Sequence, residues 1–200
     1  SLNIQVTSSC GQTQNVTVNL QPPSGWDPRD SSRTRTVAQL CAAQFGNSSC
    51  SGGSLPGLEM YDYKGIFVMP NPNPCPNGTW TFSYTPPCCR NNGRIRNLAT
   101  GQNNMRVTSS LNPGAGTGCN TSPTFNAQPI PYVCANNPVS YNFGAREPDG
   151  DSLVYSFVRG WNGATALQFS TPIYTHTRPL GTTTRINPRT GTVSFTPTTL

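Results

Sequence analysis

Apolar and polar residues alternate along much of this 200-residue chain. Successive side chains of an extended chain point to opposite faces, so this alternation predicts half-buried β-strands. The predicted strands cover residues 2–7, 15–20, 60–69, 79–84, 94–98, 105–110, 131–135, 139–143, 153–158, 166–170, 183–186 and 192–196. Residues 35–45 follow a helical period instead, and Gly46 is placed to end that helix. The pattern therefore predicts an all-β protein with at most one short helix.

Turn-forming residues separate these strands and suggest a division into two domains. The chain contains 20 prolines and 19 glycines, and only 10% of it is charged, a balance that disfavours helices. Prolines 123, 129 and 131 cluster where the helical signal has ended. We therefore predict two disulfide-tied immunoglobulin-like β-sandwich domains, residues 1–128 and 129–200. The second has fewer strands than the roughly seven of such a sandwich, so it leans on the first or takes a strand from another chain.

The cysteines indicate an oxidising compartment. They form an even set of eight, with no Cys-x-x-Cys pair and no histidine nearby in sequence, so the usual ligand spacing of zinc is missing. Up to four disulfides is the better interpretation. The sequence does not determine the pairing, although Cys41–Cys50 and Cys119–Cys134 are plausible local bridges. The predicted disulfide residues are Cys10, Cys41, Cys50, Cys75, Cys88, Cys89, Cys119 and Cys134.

Three of the seven acidic residues crowd into one Glu-Pro-Asp-Gly-Asp turn, at Glu147, Asp149 and Asp151. Like charges this close repel unless a cation or a basic neighbour compensates. Alternate carboxylates around Gly150 suit a hard cation with oxygen ligands, above all Ca²⁺. The alternative is a solvated acidic turn, in which Arg146 supplies the compensating charge.

Several positions fit the patterns of glycan attachment. Asn15, Asn47, Asn77 and Asn120 each begin an Asn-x-Ser/Thr sequon, and Ser152 lies in an Asp-Ser-Leu pattern used for O-linked glycans in one bacterial group. No apolar run is long enough to span a membrane, and we expect the chain to be a processed product, since it opens on a strand-like segment. These features favour an extracellular or cell-surface protein without membrane insertion.

Both ends of the chain alternate like strands. A terminal strand can complete the sheet of a neighbouring molecule, and repetition of that contact builds a filament. The inward-facing residues of such strands would be Leu2, Ile4, Val6, Val193 and Phe195. The alternative is that each end pairs within its own domain.

Basic, aromatic and catalytic candidates are weaker. The Arg90–Arg96 stretch lacks the interleaved aromatics of a nucleic-acid site and favours a solvated hairpin, so we expect no nucleic-acid partner. Tryptophans within strands favour core packing over sugar stacking, with Trp26, in a loop, as the exception. His176 is the single histidine, and it favours a structural role. We therefore predict no enzymatic activity.

Three stretches resemble one family. They are Trp80 through Cys88-Cys89-Arg90-Asn91 to Leu98, then Cys134-Ala-Asn through Glu147-Pro-Asp-Gly-Asp-Ser-Leu-Val-Tyr155, then Ile186-Asn-Pro-Arg-Thr-Gly-Thr-Val-Ser-Phe-Thr-Pro197. Together they resemble secreted Bacteroidota surface proteins, described as adhesin-like or gliding-motility-associated, that carry immunoglobulin-like or cadherin-like modules. The resemblance implies a non-enzymatic cell-surface or fibrous protein and a Ca²⁺-binding acidic loop. Glu147 stands where that family has Asp.

The sequence thus predicts a non-enzymatic structural subunit of an extracellular bacterial filament or surface adhesin, polymerising head to tail by terminal-strand exchange. The alternative is a carbohydrate-binding adhesion module of a larger multidomain surface protein. An extracellular glycan hydrolase would need Asp149 and Asp151 as a catalytic pair, but on a turn they more naturally share a cation.

Overall fold

A computed structural model describes residues 1–22, 35–37, 46–55, 57–86, 90, 95–114, 120–127 and 133–198. The chain divides into two compact units. Unit 1 comprises Ser1–Tyr84 and Thr108–Gly116, and unit 2 comprises Thr85–Val107 and Thr117–Leu200. The predicted boundary between residues 128 and 129 lies inside unit 2.

The regular secondary structure of the described residues is almost all β-strand, which confirms the all-β prediction. A 3₁₀ turn spans Ser49–Ser51. The strands are β1 Leu2–Ser8, β2 Thr13–Leu20, β3 Arg35–Val37, β4 Leu58–Met60, β5 Tyr63–Lys64, β6 Trp80–Tyr84, β7 Val107–Leu111, β8 Thr124–Phe125, β9 Val139–Tyr141, β10 Ala145–Arg146, β11 Trp161–Asn162, β12 Thr165–Ala166, β13 Arg185–Ile186 and β14 Val193–Phe195. The described residues include no helix long and apolar enough to cross a membrane.

A five-stranded sheet of order β5-β2-β1-β6-β7 organises unit 1. β1 lies at its centre and pairs antiparallel with both β2 and β6. The register places Leu2 opposite Val18 and Ile4 opposite Val16, so apolar side chains meet across the strands on one face. The alternation read from the sequence is therefore the alternation that builds this face.

The core of unit 1 forms on that face. Val6, Cys75 and Trp80 are fully buried there. Phe67 packs over them, with its ring centroid 5.3 Å from those of both Trp80 and Phe82. The Cys10–Cys75 disulfide joins the β1–β2 turn to the loop before β6. This bridge confirms the disulfide prediction for one pair of cysteines.

Unit 2 contains shorter strands. β14 lies between β13 and β9 in a three-stranded sheet, while β8 pairs with β10 and β11 with β12. The β13–β14 hairpin has the predicted turn, in which Asn187 Oδ1 accepts from the amides of Arg189 and Thr190, and Gly191 has φ +71°. Single bridges add Leu98 opposite Phe169 and Arg106 opposite Trp161.

The predicted helix over residues 35–45 is wrong in its first turn. Residues 35–37 form β3, which pairs antiparallel with β4. Pairing with Leu58–Met60 satisfies the backbone groups that a helix would have satisfied internally, and β-branched Thr36 and Val37 suit a strand. Residues 38–45 lie outside the described residues.

Some predicted strands contain no regular pairing. Within 60–69 only Met60, Tyr63 and Lys64 belong to strands, and residues 153–158 belong to none. The described parts of 94–98 and 131–135 also form no strand, apart from the bridge at Leu98. In these segments the alternating pattern predicted side-chain burial without predicting a backbone partner.

Candidate functional site

The segment of residues 65–69 packs on unit 1 like a lone strand of a second layer. Phe67 and Met69 pack against the core, while Ile66 is 80% exposed and Val68 is 76% exposed. Burial thus alternates with the period of two that an extended chain gives. Within the described chain, residues 65–69 make no backbone hydrogen bond. The segment therefore presents unpaired amide and carbonyl groups beside outward apolar side chains.

Unit 2 has a similar segment at residues 153–158. Leu153, Tyr155 and Phe157 are half-buried, while Val154 is 84% exposed and Val158 is 76% exposed. The amide of Tyr155 donates to the carbonyl of Pro188 at 2.9 Å. That contact is the only backbone hydrogen bond of this segment to the described residues. Most of its backbone groups therefore have no hydrogen-bond partner among the described residues.

Both predicted exchange strands pair within their own chain in this structure. Leu2, Ile4 and Val6 point into the core face of unit 1 from the central strand β1. Val193 and Phe195 belong to β14, which is central in its sheet. Strand exchange stays a prediction, because a swapped strand makes the same contacts in a neighbouring copy.

Two cavities of unit 2 share a wall, and together we call them the His176 cleft. The first, of about 450 Å³, includes Arg159, Tyr174 and His176 in its lining. The second, of about 330 Å³, includes Arg90, Asn97 and His176. Leu167 and Phe169 also line both cavities. No carboxylate of the described residues is among the lining groups.

Backbone hydrogen bonds pair residues 97–99 with residues 168–170, and this pairing shapes the cleft. The amide of Ala99 donates to the Gln168 carbonyl, and the amide of Ser170 donates to the Asn97 carbonyl, each at 3.1 Å. Asn97 Nδ2 donates to the carbonyl of Pro179 at 2.6 Å, which holds the 171–180 loop against the pair. The loop that carries Tyr174 and His176 is thereby fixed to one wall.

Arg90 is the half-buried charge of the cleft. Its Nη1 donates to the carbonyl of Gln102 at 3.2 Å, and burial lowers the pKa of its guanidinium below the ordinary value. No ion pair to a carboxylate of the described chain compensates it. The Cys-Cys-Arg-Asn-x-x-x-Ile-x-Asn-Leu stretch brings Arg90, Asn97 and Leu98 to the same cavity, although the sequence pattern indicates a solvated hairpin for its first part.

The acidic turn uses its carboxylates as hydrogen-bond acceptors. Asp149 accepts from the amide of Thr121 and, at 3.3 Å, from its hydroxyl. Glu147 accepts from the amide of Asp151 at 2.8 Å, and Gly150 has a left-handed backbone with φ +84°. The described residues contain no group of three His, Cys, Asp or Glu side chains arranged to hold a metal ion. The calcium site stays a prediction.

Some of the other predicted sites lie among the described residues and some lie outside them. Cys50 and Cys134 have free thiols. The predicted Cys41–Cys50 and Cys119–Cys134 bridges are therefore not formed. Cys41, Cys88, Cys89 and Cys119 lie outside the described residues, as does Trp26. All five predicted glycan acceptors, Asn15, Asn47, Asn77, Asn120 and Ser152, are exposed.

Two tryptophans are placed by the structure. Trp80 is fully buried, as core packing predicted. Trp161 is partly exposed, and the guanidinium of Arg106 lies 5.6 Å from its ring centroid.

No protein-family model, curated protein or solved structure matches this chain.

Proposed function

We propose that this protein is a non-enzymatic structural subunit of an extracellular bacterial filament or surface adhesin. In this proposal its two units are immunoglobulin-like, and copies join when a strand of one copy pairs with an open backbone edge of the next. The observation that carries the proposal is the 65–69 segment, which combines an unpaired backbone with outward Ile66 and Val68. The resemblance to secreted Bacteroidota surface proteins supports the same conclusion.

The 65–69 segment supports a β-sandwich because it begins a second layer. Its inward residues Phe67 and Met69 pack on the face of the five-stranded sheet. A second layer of one strand leaves its backbone donors and acceptors to water or to a partner. An incoming strand would pair with those groups and cover Ile66 and Val68.

Terminal strands are the donors we propose. β1 alternates inward Leu2, Ile4 and Val6 with outward Asn3 and Gln5, a pattern that serves a neighbour's sheet as well as its own. Head-to-tail repetition of such a contact does not close on itself, so it extends into a filament. Exposed glycan acceptors and a calcium-bound acidic turn would fit a surface filament.

Assembly is best tested at the acceptor edge, because deletion of β1 would remove fully buried Val6 from the core. We expect wild-type protein to form concentration-dependent oligomers or fibres in light scattering and negative-stain microscopy. The double variant Ile66→Lys, Val68→Lys should stay monomeric, since two charges on the edge oppose strand addition while both side chains already face solvent.

Gln12→Lys is the matched control, because Gln12 is exposed in the β1–β2 turn, outside both the acceptor edge and the proposed donor strands. This variant should assemble like wild type. Monomeric wild-type protein at every concentration would contradict the proposal, as would fibres of the double variant that equal those of wild type.

A carbohydrate-binding adhesion module is the second candidate function. The His176 cleft favours it, because this cleft combines aromatic, hydroxyl and cationic side chains in a cavity of ligand size.

A further inference from the structure

We propose that the His176 cleft of unit 2 binds an anionic sugar residue of an acidic glycan, with the acidic group held by Arg159 and Arg90. This inference does not depend on strand-mediated assembly. It gives the carbohydrate-binding candidate a defined site and a ligand class.

The charge of the cleft favours an anion. Both cavities have an arginine in their lining and no described carboxylate. Arg90 is half-buried, and one of its five N–H donors binds the backbone carbonyl of Gln102. A half-buried charge with no described counter-charge is unfavourable, and a guanidinium binds carboxylates and other oxyanions through paired hydrogen bonds. A carboxylate or sulfate group would therefore be stabilised here.

The remaining lining suits a sugar ring. Phe169 and Leu167 form the shared apolar wall, and Tyr174 lies in the larger cavity. An aromatic ring packs against the apolar face of a pyranose while its edge stays near polar groups. Gln168, Ser170 and Thr171 place amide and hydroxyl groups around that cavity. Cavities of about 450 and 330 Å³ are in the size range of small-ligand sites.

The two arginines set the orientation of the ligand. Arg159 is exposed and lines the larger cavity, and Arg90 is half-buried and lines the smaller one. His176 lines both cavities, so a ligand that spans the cleft would lie next to the His176 side chain. We expect the acidic group to contact an arginine and the ring to rest on the Phe169 wall.

The test is isothermal titration calorimetry with three probes: trigalacturonate, a sulfated galactose trisaccharide and neutral galactotriose. We expect one or both anionic probes to bind and galactotriose to bind at least about tenfold more weakly, as loss of a charge-assisted hydrogen bond implies. The carboxylate and sulfate probes show which acidic group the site prefers.

Arg159→Gln should weaken binding of the anionic probe at least about tenfold. Because Arg159 is exposed, the substitution should leave the fold intact, which circular dichroism would check. Arg189→Gln is the control, because Arg189 is an exposed arginine of unit 2 outside the cleft lining. It should bind like wild type, which excludes a general effect of net charge. Phe169→Ala should weaken binding as well, since it removes the shared wall.

Three results would overturn the site: no binding of either anionic probe, equal binding of galactotriose, or equal loss in the Arg159 and Arg189 variants. The Ile66→Lys, Val68→Lys protein should bind the anionic probe like wild type. Failure of the cleft and failure of strand assembly are therefore separate outcomes.

Discussion

Asp149 shows how one side chain serves the acidic turn. Its carboxylate accepts two hydrogen bonds from Thr121, and Glu147 accepts the amide of Asp151. These bonds offset part of the repulsion among the three carboxylates, because N–H dipoles stabilise negative charge. Each carboxylate keeps further lone pairs with which it can bind a cation. Hydrogen bonding within the turn and calcium binding are thus compatible.

Calcium should raise the stability of unit 2 through this turn. With a dissociation constant typical of extracellular modules, about 10 mM Ca²⁺ would contribute about 2 kcal/mol to the free energy of unfolding. Asp149→Asn should abolish that gain, since it removes a charged ligand, while its amide oxygen still accepts from Thr121. Differential scanning calorimetry with calcium and with chelator measures both effects.

Asp62→Asn is the control for this experiment, because Asp62 is an exposed carboxylate of unit 1 outside the turn. Its variant should keep the full response to calcium. An unchanged melting temperature of wild type on chelation would rule out a calcium site in the turn.

Among the elements, the long strands of the unit 1 sheet were predictable, whereas the short strands β8, β10 and β11 were not. The alternation of β1, β2, β6 and β7 matches strands that pair in one sheet, and the Pro188–Gly191 turn matches the β13–β14 hairpin. Residues 35–37 were assigned to a helix because local periodicity carries no information about β4, which pairs with them. The pairing of distant segments is a tertiary effect that overrides local preference.

The His176 cleft was not predictable as a site. His176 lies far from Arg90 and Asn97 in sequence, and it meets them only because 97–99 pairs with 168–170. The sequence did mark Arg90, Asn97 and Leu98 as members of one motif. It did not mark Arg159 or Phe169, since a lone arginine and a strand phenylalanine carry no specific signal.

The 153–158 segment depends on the β13–β14 hairpin for its position. A Cβ added at Gly191 would lie 2.6 Å from the ring of Tyr155, and Gly191 already has φ +71°. We expect Gly191→Ala to lose about 1–2 kcal/mol from the left-handed backbone and about 1–3 kcal/mol more from the clash. Urea unfolding monitored by circular dichroism measures the total.

Gly101→Ala separates the two contributions. Gly101 has φ +82° but no atom within 4 Å of an added Cβ, so its variant should lose only the backbone part. Equal losses in the two variants would mean that Tyr155 moves away without cost and that the hairpin does not position the segment.

For the whole molecule, the disulfide belongs to one unit only. Cys10 and Cys75 both lie in unit 1, and their sequence separation of 65 closes a long loop around the core. Chain-entropy arguments give such a loop a stabilisation of about 4 kcal/mol. Among its described residues, unit 2 contains no disulfide, and it has a separate sheet of order β13-β14-β9.

We therefore expect two unfolding transitions in calorimetry, of which Cys10→Ala, Cys75→Ala shifts only one. Unit 1 should lose about 2–5 kcal/mol, because its unfolded state gains conformational freedom and Cys75 leaves a small void in the core. Cys134→Ala is the control, since Cys134 is an exposed free thiol of unit 2. A single transition that shifts as a whole would contradict this expectation, because it would show that the two units unfold cooperatively.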